Sequence, residues 1–372
     1  MTSLSLPIRR VEVFGVAVPL VGSGFRNAYV TKTVQKSAVV RITAEDGAIG
    51  LGNIDPSPGY STETVEQSLN ALSRLAPALQ GRDAANPKAL CQFMDDRLGG
   101  HLDAKAAIEM ACVDLLARRL GIPVHQYLGG AVTDSVDFNA WIGILPPDDA
   151  AAEAMTWRAR GFRSAKIKVG GGIRADRDRI RAVREAVGPD MALRADANAG
   201  YDVDTAIELG RLLEPYGLQL LEQPVAANDL AGMAQVRRSI NIPIMADESI
   251  TDFRSLIDVI RADCADIVKL KVMKQGGFLN CKHMLETAAA AGMRVVIGHG
   301  FGLGINTVAE IMLASTSPAV LPGLECVGPL KTADDIVTAK LDLSAGRLPL
   351  PQGPGLGVDL SAEKLERYRF TA

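Results

Sequence analysis

The chain has 372 residues, 48% hydrophobic and 22% charged, with a formal net charge of −3. This is enough to bury one barrel-sized core plus a smaller domain, and it excludes a disordered chain. The charge leaves no basic footprint for nucleic acid and no polybasic anchor for a membrane.

Five cysteines at 91, 112, 264, 281 and 326 form no C-x-x-C pair. An odd, scattered set argues against a disulfide framework or structural zinc and for the reduced cytoplasm. No uncharged run reaches the roughly 18 residues of a membrane span.

From residue 9 to about 60 the pattern is strand-like. "RRVEVFGVAV" alternates, so the basic pair before it belongs to an edge or hairpin strand rather than to a secretory signal. "SAVVRITAEDGAIGLGNI" follows, with Asp46-Gly47 as its hairpin turn. The loops 22–30 and 54–62 are expected to act as lids, with Arg26 and Tyr60 as substrate contacts. "HLDAKAAIEMACVDLLARRLGIPV" then reads as a helix capped by Asp103 and stopped by Gly121 and Pro123. Its buried face is expected to carry Ile108, Ala111, Leu115 and Leu116. The turn "LGG" at 128–130 closes an α+β capping domain, residues 1–130.

Beyond it, strand, loop and helix repeat. Eight short apolar runs, from "VDFNAWIG" to "PGLECVGP", alternate with amphipathic stretches and indicate a parallel sheet. Polar residues close most of them: Lys168, Asp196, Glu222, Asp247, Lys271, His299 and Glu325, at intervals of 28, 26, 25, 24, 28 and 26 residues. Each interval fits one strand-plus-helix unit. Eight such units close a barrel over 131–345 with its chemistry at the C-terminal strand ends. An open doubly wound sheet would want a G-x-G-x-x-G turn after its first strand, and there is none. The Pro/Gly-rich tail, 346–372, is expected to return to the capping domain.

In such a barrel the second and sixth strands face each other. "KIK" places Lys166 and Lys168 on one face of the second, and "KLK" does the same with Lys269 and Lys271 on the sixth. Between them Asp196, Glu222 and Asp247 close three consecutive strands. Adjacent carboxylates repel unless they share a cation, and hard oxygen ligands suit Mg²⁺, with Mn²⁺ as a substitute. Opposed lysines beside a divalent ion are expected to have lowered pKa values, so that one can take a proton α to a carboxylate while the metal stabilises the resulting ene-diolate. Read alone, Asp196 or Asp247 is equally a helix cap, and Glu248 competes with Asp247 as third ligand.

The motifs "KIKVG", "RADAN", "LLEQP", "MADES" and "KLKVMKQGG", in this order, resemble the enolase superfamily, specifically its muconate cycloisomerase subgroup within the mandelate racemase/muconate lactonizing enzyme family. The resemblance spans nearly the whole chain. It implies a modified TIM barrel, (β/α)7β, under an N-terminal α+β capping domain completed by the C-terminal tail. It also implies Asp196, Glu222 and Asp247 as metal ligands, Lys168 as base and Lys271 as the opposite acid or base. "LECVGPL" is similar to the cycloisomerases' E-x-x-G-P-L segment, which puts Glu325 near the substrate and favours cycloisomerisation. Racemisation or epimerisation of N-acyl amino acids or dipeptides, and o-succinylbenzoate-type dehydration, share the same first step.

Lys166, Asn198 and His299 complete the expected substrate-side set. Asn198 is placed to support the metal ligands, and Lys166 and Lys269 to tune charge or bind a carboxylate. His299 resembles the mandelate racemase histidine, but Lys271 stands where that subgroup's aspartate would be. Gly300, Gly302 and Gly304 suit either an anion cradle or a tight loop. The expected partner is a small carboxylate, and the resemblance implies a homo-oligomer. A Schiff-base aldolase using one of the lysines, or a non-catalytic barrel, are the readings from other classes.

Overall fold

The computed structural model describes residues 4–22, 25–26, 31–57 and 61–370; the side chains of residues 25, 26 and 31 lie outside that description. Arg26 and Tyr60, expected as lid contacts, therefore fall outside the described side chains.

The capping domain is built on β1 (Ile8–Pro19), β4 (Val34–Ala44) and β5 (Ile49–Ile54), with the two-residue strands β2 (Phe25–Arg26) and β3 (Thr31–Lys32) forming their own small pair. β1 and β4 run antiparallel from Ile8↔Ala44 to Pro19↔Val34. The β4–β5 turn is the expected Asp46-Gly47 hairpin, with Gly47 at φ 86°. Its conformation is one that glycine adopts without a Cβ penalty.

The helix Leu102–Leu120 lies across this sheet. The strand packs directly on the helix backbone: a Cβ on Gly50 would stand 2.0 Å from the Ala111 carbonyl oxygen, and one on Gly52 1.9 Å from that of Ala107. Two sequence expectations are corrected here. Asp103 is not the cap; the helix enters through His101 in the left-handed region (φ 52°), and Asp103 sits inside the first turn. Nor is there a single apolar face, because every residue from Asp103 to Ala117 is buried. The cause is that the barrel covers the side the sheet leaves open. Glu109 accepts from the amides of Phe278 (2.8 Å) and Leu279 (3.0 Å) at the start of the barrel helix Phe278–Ala290. Gly121 stops the helix in the left-handed region, as expected (φ 71°).

After the short β6 (Ser135–Asp137), seven parallel strands follow in order of sequence: β7 (Ala140–Ile142), β8 (Ser164–Lys168), β9 (Ala192–Asp196), β10 (Leu220–Glu222), β11 (Ile244–Ala246), β12 (Ile267–Leu270) and β13 (Arg294–Ile297). The eighth apolar run is not a regular strand, yet it closes the ring. Leu321 and Glu325 donate to Val295 and Ile297 of β13, while Leu324 and Asn139 exchange bonds across to the β6–β7 segment. Glycine and proline keep this stave irregular: Gly323 has φ 86°. Leu220, Met245, Ile267 and Val296 pack as an apolar floor inside the barrel. Polar side chains above it are therefore held away from water below and open only at the C-terminal mouth. The tail first pairs β14 (Arg347–Pro349) with β6 and only then adds β15 (Arg369–Phe370) to the edge of β1. All five cysteines are free thiols. No helix among the described residues is long and apolar enough to cross a membrane.

Candidate active site

Strand register collects the charged residues. Lys168 is the registered neighbour of Asp196, and Asp196 of Glu222. Glu222 is registered with Met245, two residues before Asp247. Registered neighbours in a parallel sheet face the same way, and so do residues two apart on one stave. Asp196, Glu222 and Asp247 thus stand side by side at the mouth, all buried. Neither aspartate is a helix cap: the helices that follow are capped by Asp202 and Asp252.

The three carboxylates share cations pairwise. Lys166 Nζ lies 3.0 Å from both Asp196 and Glu222, and Lys269 Nζ lies 3.0 Å from Glu222 and 3.7 Å from Asp247. Above this layer Lys168 donates to Asp196 at 2.6 Å, and Lys271 to Asp247 at 2.7 Å. Because β8 and β12 are four staves apart in an eight-staved ring, the two outer lysines approach from opposite sides.

The charge balance differs from two lysines facing one another unscreened. Burial alone would lower Lys166 and Lys269, but the surrounding carboxylates overturn it and raise both: Asp196, Glu222 and Glu325 at Lys166, Glu222 and Glu325 at Lys269. Burial pushes Asp196 up, yet Lys166, Lys168 and Lys269 hold it at about 2. Glu222 is pushed up to about 8 by burial and by the Asp196 carboxylate, despite its two lysine partners. Two monovalent cations leave this carboxylate short of positive charge.

That shortfall is the test of whether a divalent ion fits. Among the described residues no three His, Cys, Asp or Glu side chains converge closely enough to hold a metal as they stand. Ammonium groups occupy the spaces between them, and Lys166 acts as a stand-in cation between Asp196 and Glu222. Three adjacent carboxylates with hard oxygen donors and a deficit of positive charge match Mg²⁺ in kind. Glu248, the competitor for Asp247, accepts from Asn198 Nδ2 at 3.1 Å through one oxygen; its other oxygen is buried without a partner.

Asn198 lies at φ 44°, takes a hydrogen bond from Lys168 on Oδ1 and donates its own amide to Asp196 at 3.1 Å. It holds Lys168, Asp196 and Glu248 in one arrangement. His299 lines the cavity with Lys168 and Lys271. Its Nδ1 accepts from the Phe301 amide (3.4 Å), so the ring proton belongs on Nε2, which is buried and unpartnered. Burial, then the charges of Lys271, Lys32 and Lys331, push its pKa well down. The anion-cradle alternative for the glycines is not supported: the Gly304 amide is taken by Asp335 and the Gly302 amide by the His299 carbonyl, and Gly328 packs on Gly302.

Glu325 lines the cavity, and its oxygens are taken by cations. It accepts from Lys166 and Lys269 and, at 3.1 Å, from Arg194, a fully buried guanidinium. Sequence reasoning passed over Arg194, Lys274, Gln223 and Lys331. Gln223, strained at φ 36°, accepts the amides of Asp247 (3.1 Å) and Ser249 (3.2 Å) and so fixes the β11 end against β10. Lys274 Nζ donates to the Asp247 carbonyl at 3.1 Å. Its pKa is lowered to about 8 by burial and Lys271. Lys274 stood in the open in "KLKVMKQGG", and Arg194 two residues before Asp196 on the same strand face in "RADAN"; Gln223 and Lys331 had no spacing signal.

Residues 149–364 match the family described as enolase C-terminal domain-like, and residues 9–129 the mandelate racemase/muconate lactonizing enzyme N-terminal domain. The chain is 32% identical to the chloromuconate cycloisomerase of Pseudomonas putida, over 98% of this chain and 99% of that one. The crystal structure of the N-succinyl Arg/Lys racemase from Bacillus cereus superposes with a TM-score of 0.94 at 29% identity, covering 98% of this chain and 99% of that one. The dipeptide epimerase from Enterococcus faecalis, complexed with Mg and the dipeptide L-Leu-L-Tyr, gives 0.91 at 31%, covering 95% and 99%. The chain belongs to the enolase superfamily, in its mandelate racemase/muconate lactonizing enzyme family, and is an isomerase of that group.

Proposed function

We propose that the enzyme removes the proton α to a substrate carboxylate in a Mg²⁺-dependent reaction, and that its overall reaction is racemisation or epimerisation at that carbon of an N-acylated amino acid. The observation that carries this reading is the pair of lysines on opposed staves, each hydrogen-bonded to a carboxylate of the shared acidic set. Exchange of a proton between the two faces of one carbon needs a proton carrier on each side, and Lys168 and Lys271 supply them.

Asp196, Glu222 and Asp247 would hold the ion, which anchors the substrate carboxylate and offsets the negative charge that develops on it. Asp196 and Asp247 orient the two outer lysine Nζ atoms. Lys166, half-buried, and Lys269, buried, both with raised pKa values, keep fixed positive charge beneath the reacting carbon. The abstracting lysine must start as the free amine and the opposite one as the ammonium ion: Lys168 takes the proton from one enantiomer while Lys271 gives its own to the other face, and the reverse reaction starts from the exchanged protonation states.

Incubation of both enantiomers of N-acylated amino acids with Mg²⁺ in D₂O tests the reading. Deuterium should enter the α position of each enantiomer, and EDTA should stop it. Activity that survives EDTA and is trapped by borohydride would point to a Schiff-base enzyme instead. Muconate cycloisomerisation is the second reading, supported by the 32% identity to a chloromuconate cycloisomerase over almost the full chain. It needs only one proton carrier, so conversion of muconate with no exchange of amino-acid α protons would favour it.

A further inference from the structure

The cavity continues beyond the reacting lysines toward the eighth stave, and the groups around that end are of one sign. The stave runs into the short helix Gly328–Lys331, which places Lys331 Nζ 4.5 Å from the ring centroids of both Trp141 and Phe301. From the capping domain, Lys32 Nζ reaches 4.3 Å from the same Phe301 ring. His299 adds a neutral imidazole whose buried Nε2 proton is a donor only. The cavity lining contains a single acid, Glu325, and that carboxylate is committed to Lys166, Lys269 and Arg194. In the sequence no Asp or Glu occurs between Glu12 and Glu45 or in residues 56–62.

We propose that the Trp141, Phe301 and Lys331 end of the cavity is an anion subsite that receives a second carboxylate of the substrate, so that the enzyme selects dianionic acids and rejects dipeptides with a free ammonium group. Only the location of the first carboxylate rests on the proton-abstraction reading above. An ammonium group entering here would meet Lys331 with no uncommitted carboxylate to balance it, and Lys32, held by Ser57 and Gln35, adds positive charge beside the Phe301 ring, whereas a carboxylate would meet Lys331 and the His299 Nε2 proton as donors. Burial and the neighbouring charges of Lys166, Lys168 and Lys32 hold the Lys331 pKa well below its usual range, so an arriving carboxylate would favour the ammonium form of Lys331 while an arriving cation would disfavour it further. The shared chemistry covers two sources, an N-succinyl-type amino acid and a muconate-type diacid.

Adipate, hexanoate and 6-aminohexanoate share one chain length and differ only in the distal group, so their affinities read the subsite directly. With the Mg²⁺-loaded full chain, followed by calorimetry and by tryptophan fluorescence, adipate should bind about tenfold more tightly than hexanoate and 6-aminohexanoate more weakly than either. Lys331→Met should cost adipate about tenfold and leave hexanoate within twofold. Lys331→Gln, checked by its melting curve, serves if the methionine variant does not fold. Equal affinity for 6-aminohexanoate and adipate, no adipate binding, or an order that survives in the variant would each overturn the subsite. Exchange assays on an N-succinyl amino acid, muconate and a free dipeptide then separate the two sources. Absence of α exchange with all three would remove the racemase reading while leaving the binding order intact.

Discussion

On the β8 side of the mouth Lys168 keeps 17% of its side chain exposed, and its strand end is fastened by a satisfied polar group. Arg179 donates to the carbonyls of Lys168 (3.2 Å) and Leu145 (2.6 Å) and to Asp176 (2.6 Å), whose oxygens also take the Gly170 and Gly171 amides and the Tyr201 hydroxyl. On the β12 side Lys271 is 3% exposed, and the groups behind it are poorly compensated. Lys274 is held down at about 8, and Asp103, reaching in from the capping helix, is buried with neither oxygen hydrogen-bonded. Both lysines are hydrogen-bonded to their carboxylates, but what stands behind them is satisfied hydrogen bonding on one side and desolvated charge on the other. Mutation and pH should act on the two sides separately.

The strongest break in the comparison comes from the lysines themselves. Lys168→Ala should abolish deuterium uptake by one enantiomer and Lys271→Ala by the other, each by about a thousandfold, with the untouched enantiomer retaining single-turnover exchange. Loss of both activities in either variant would mean that the sides do not act independently, and the racemase reading would fail.

Next in size is the satisfied side. Arg179→Met leaves the Asp176 charge buried without its guanidinium and should lower stability by about 3 kcal/mol in urea unfolding. Exchange on the Lys168 face should fall with it, and the Lys271 face should change far less. Equal losses on both faces would show that Arg179 serves the whole mouth.

The poorly compensated side should announce itself in pH. Asp103 is pushed up to about 8 by burial and then by the Glu63 carboxylate, against the opposing pull of Lys274 and Lys271; His101 lies 3.3 Å from Glu63. A carboxyl raised on folding binds its proton more tightly in the folded state, so stability falls as pH rises from about 4 to 8 and levels off above. Asp103→Asn should remove that slope, and between pH 5 and 8.5 the variant should gain on the parent by about 4 kcal/mol. Melting curves that shift in parallel across this range would refute the assignment.

The two sides were unequally legible in the sequence. Lys168, Asp196, Glu222, Asp247 and Lys271 could be placed because each ends a strand, and a strand's two-residue period with a constant strand-plus-helix interval determines which way such a residue points. Residues whose roles depend on loop conformation or on partners far along the chain left no such trace. Gln223 acts through a strained turn and Lys331 through two rings from distant segments; Glu325 was placed by the constant interval, but its pairing with Arg194 131 positions away was not. Asp103 was misread for a related reason. Its spacing suits a cap, but a helix buried on all sides is decided by what covers it, and one-dimensional periodicity records only one face.

Asn198 gives the smallest and most discriminating effect: expected on the substrate side as a support of the metal ligands, it is tied to Lys168, Asp196 and Glu248. Asn198→Ala should reduce kcat on the Lys168 face by about tenfold, one charge-assisted hydrogen bond, with KM unchanged and the Lys271 face within twofold. Alanine at φ 44° also adds left-handed backbone strain of about 1 kcal/mol, which Asn198→Gly avoids. The glycine variant should therefore recover thermal stability without recovering rate, separating positioning of the lysine from support of the fold. A rise in KM on both faces would instead make Asn198 a substrate contact, and the hydrogen-bonded support of Lys168 would then rest on Arg179 and Asp196 alone.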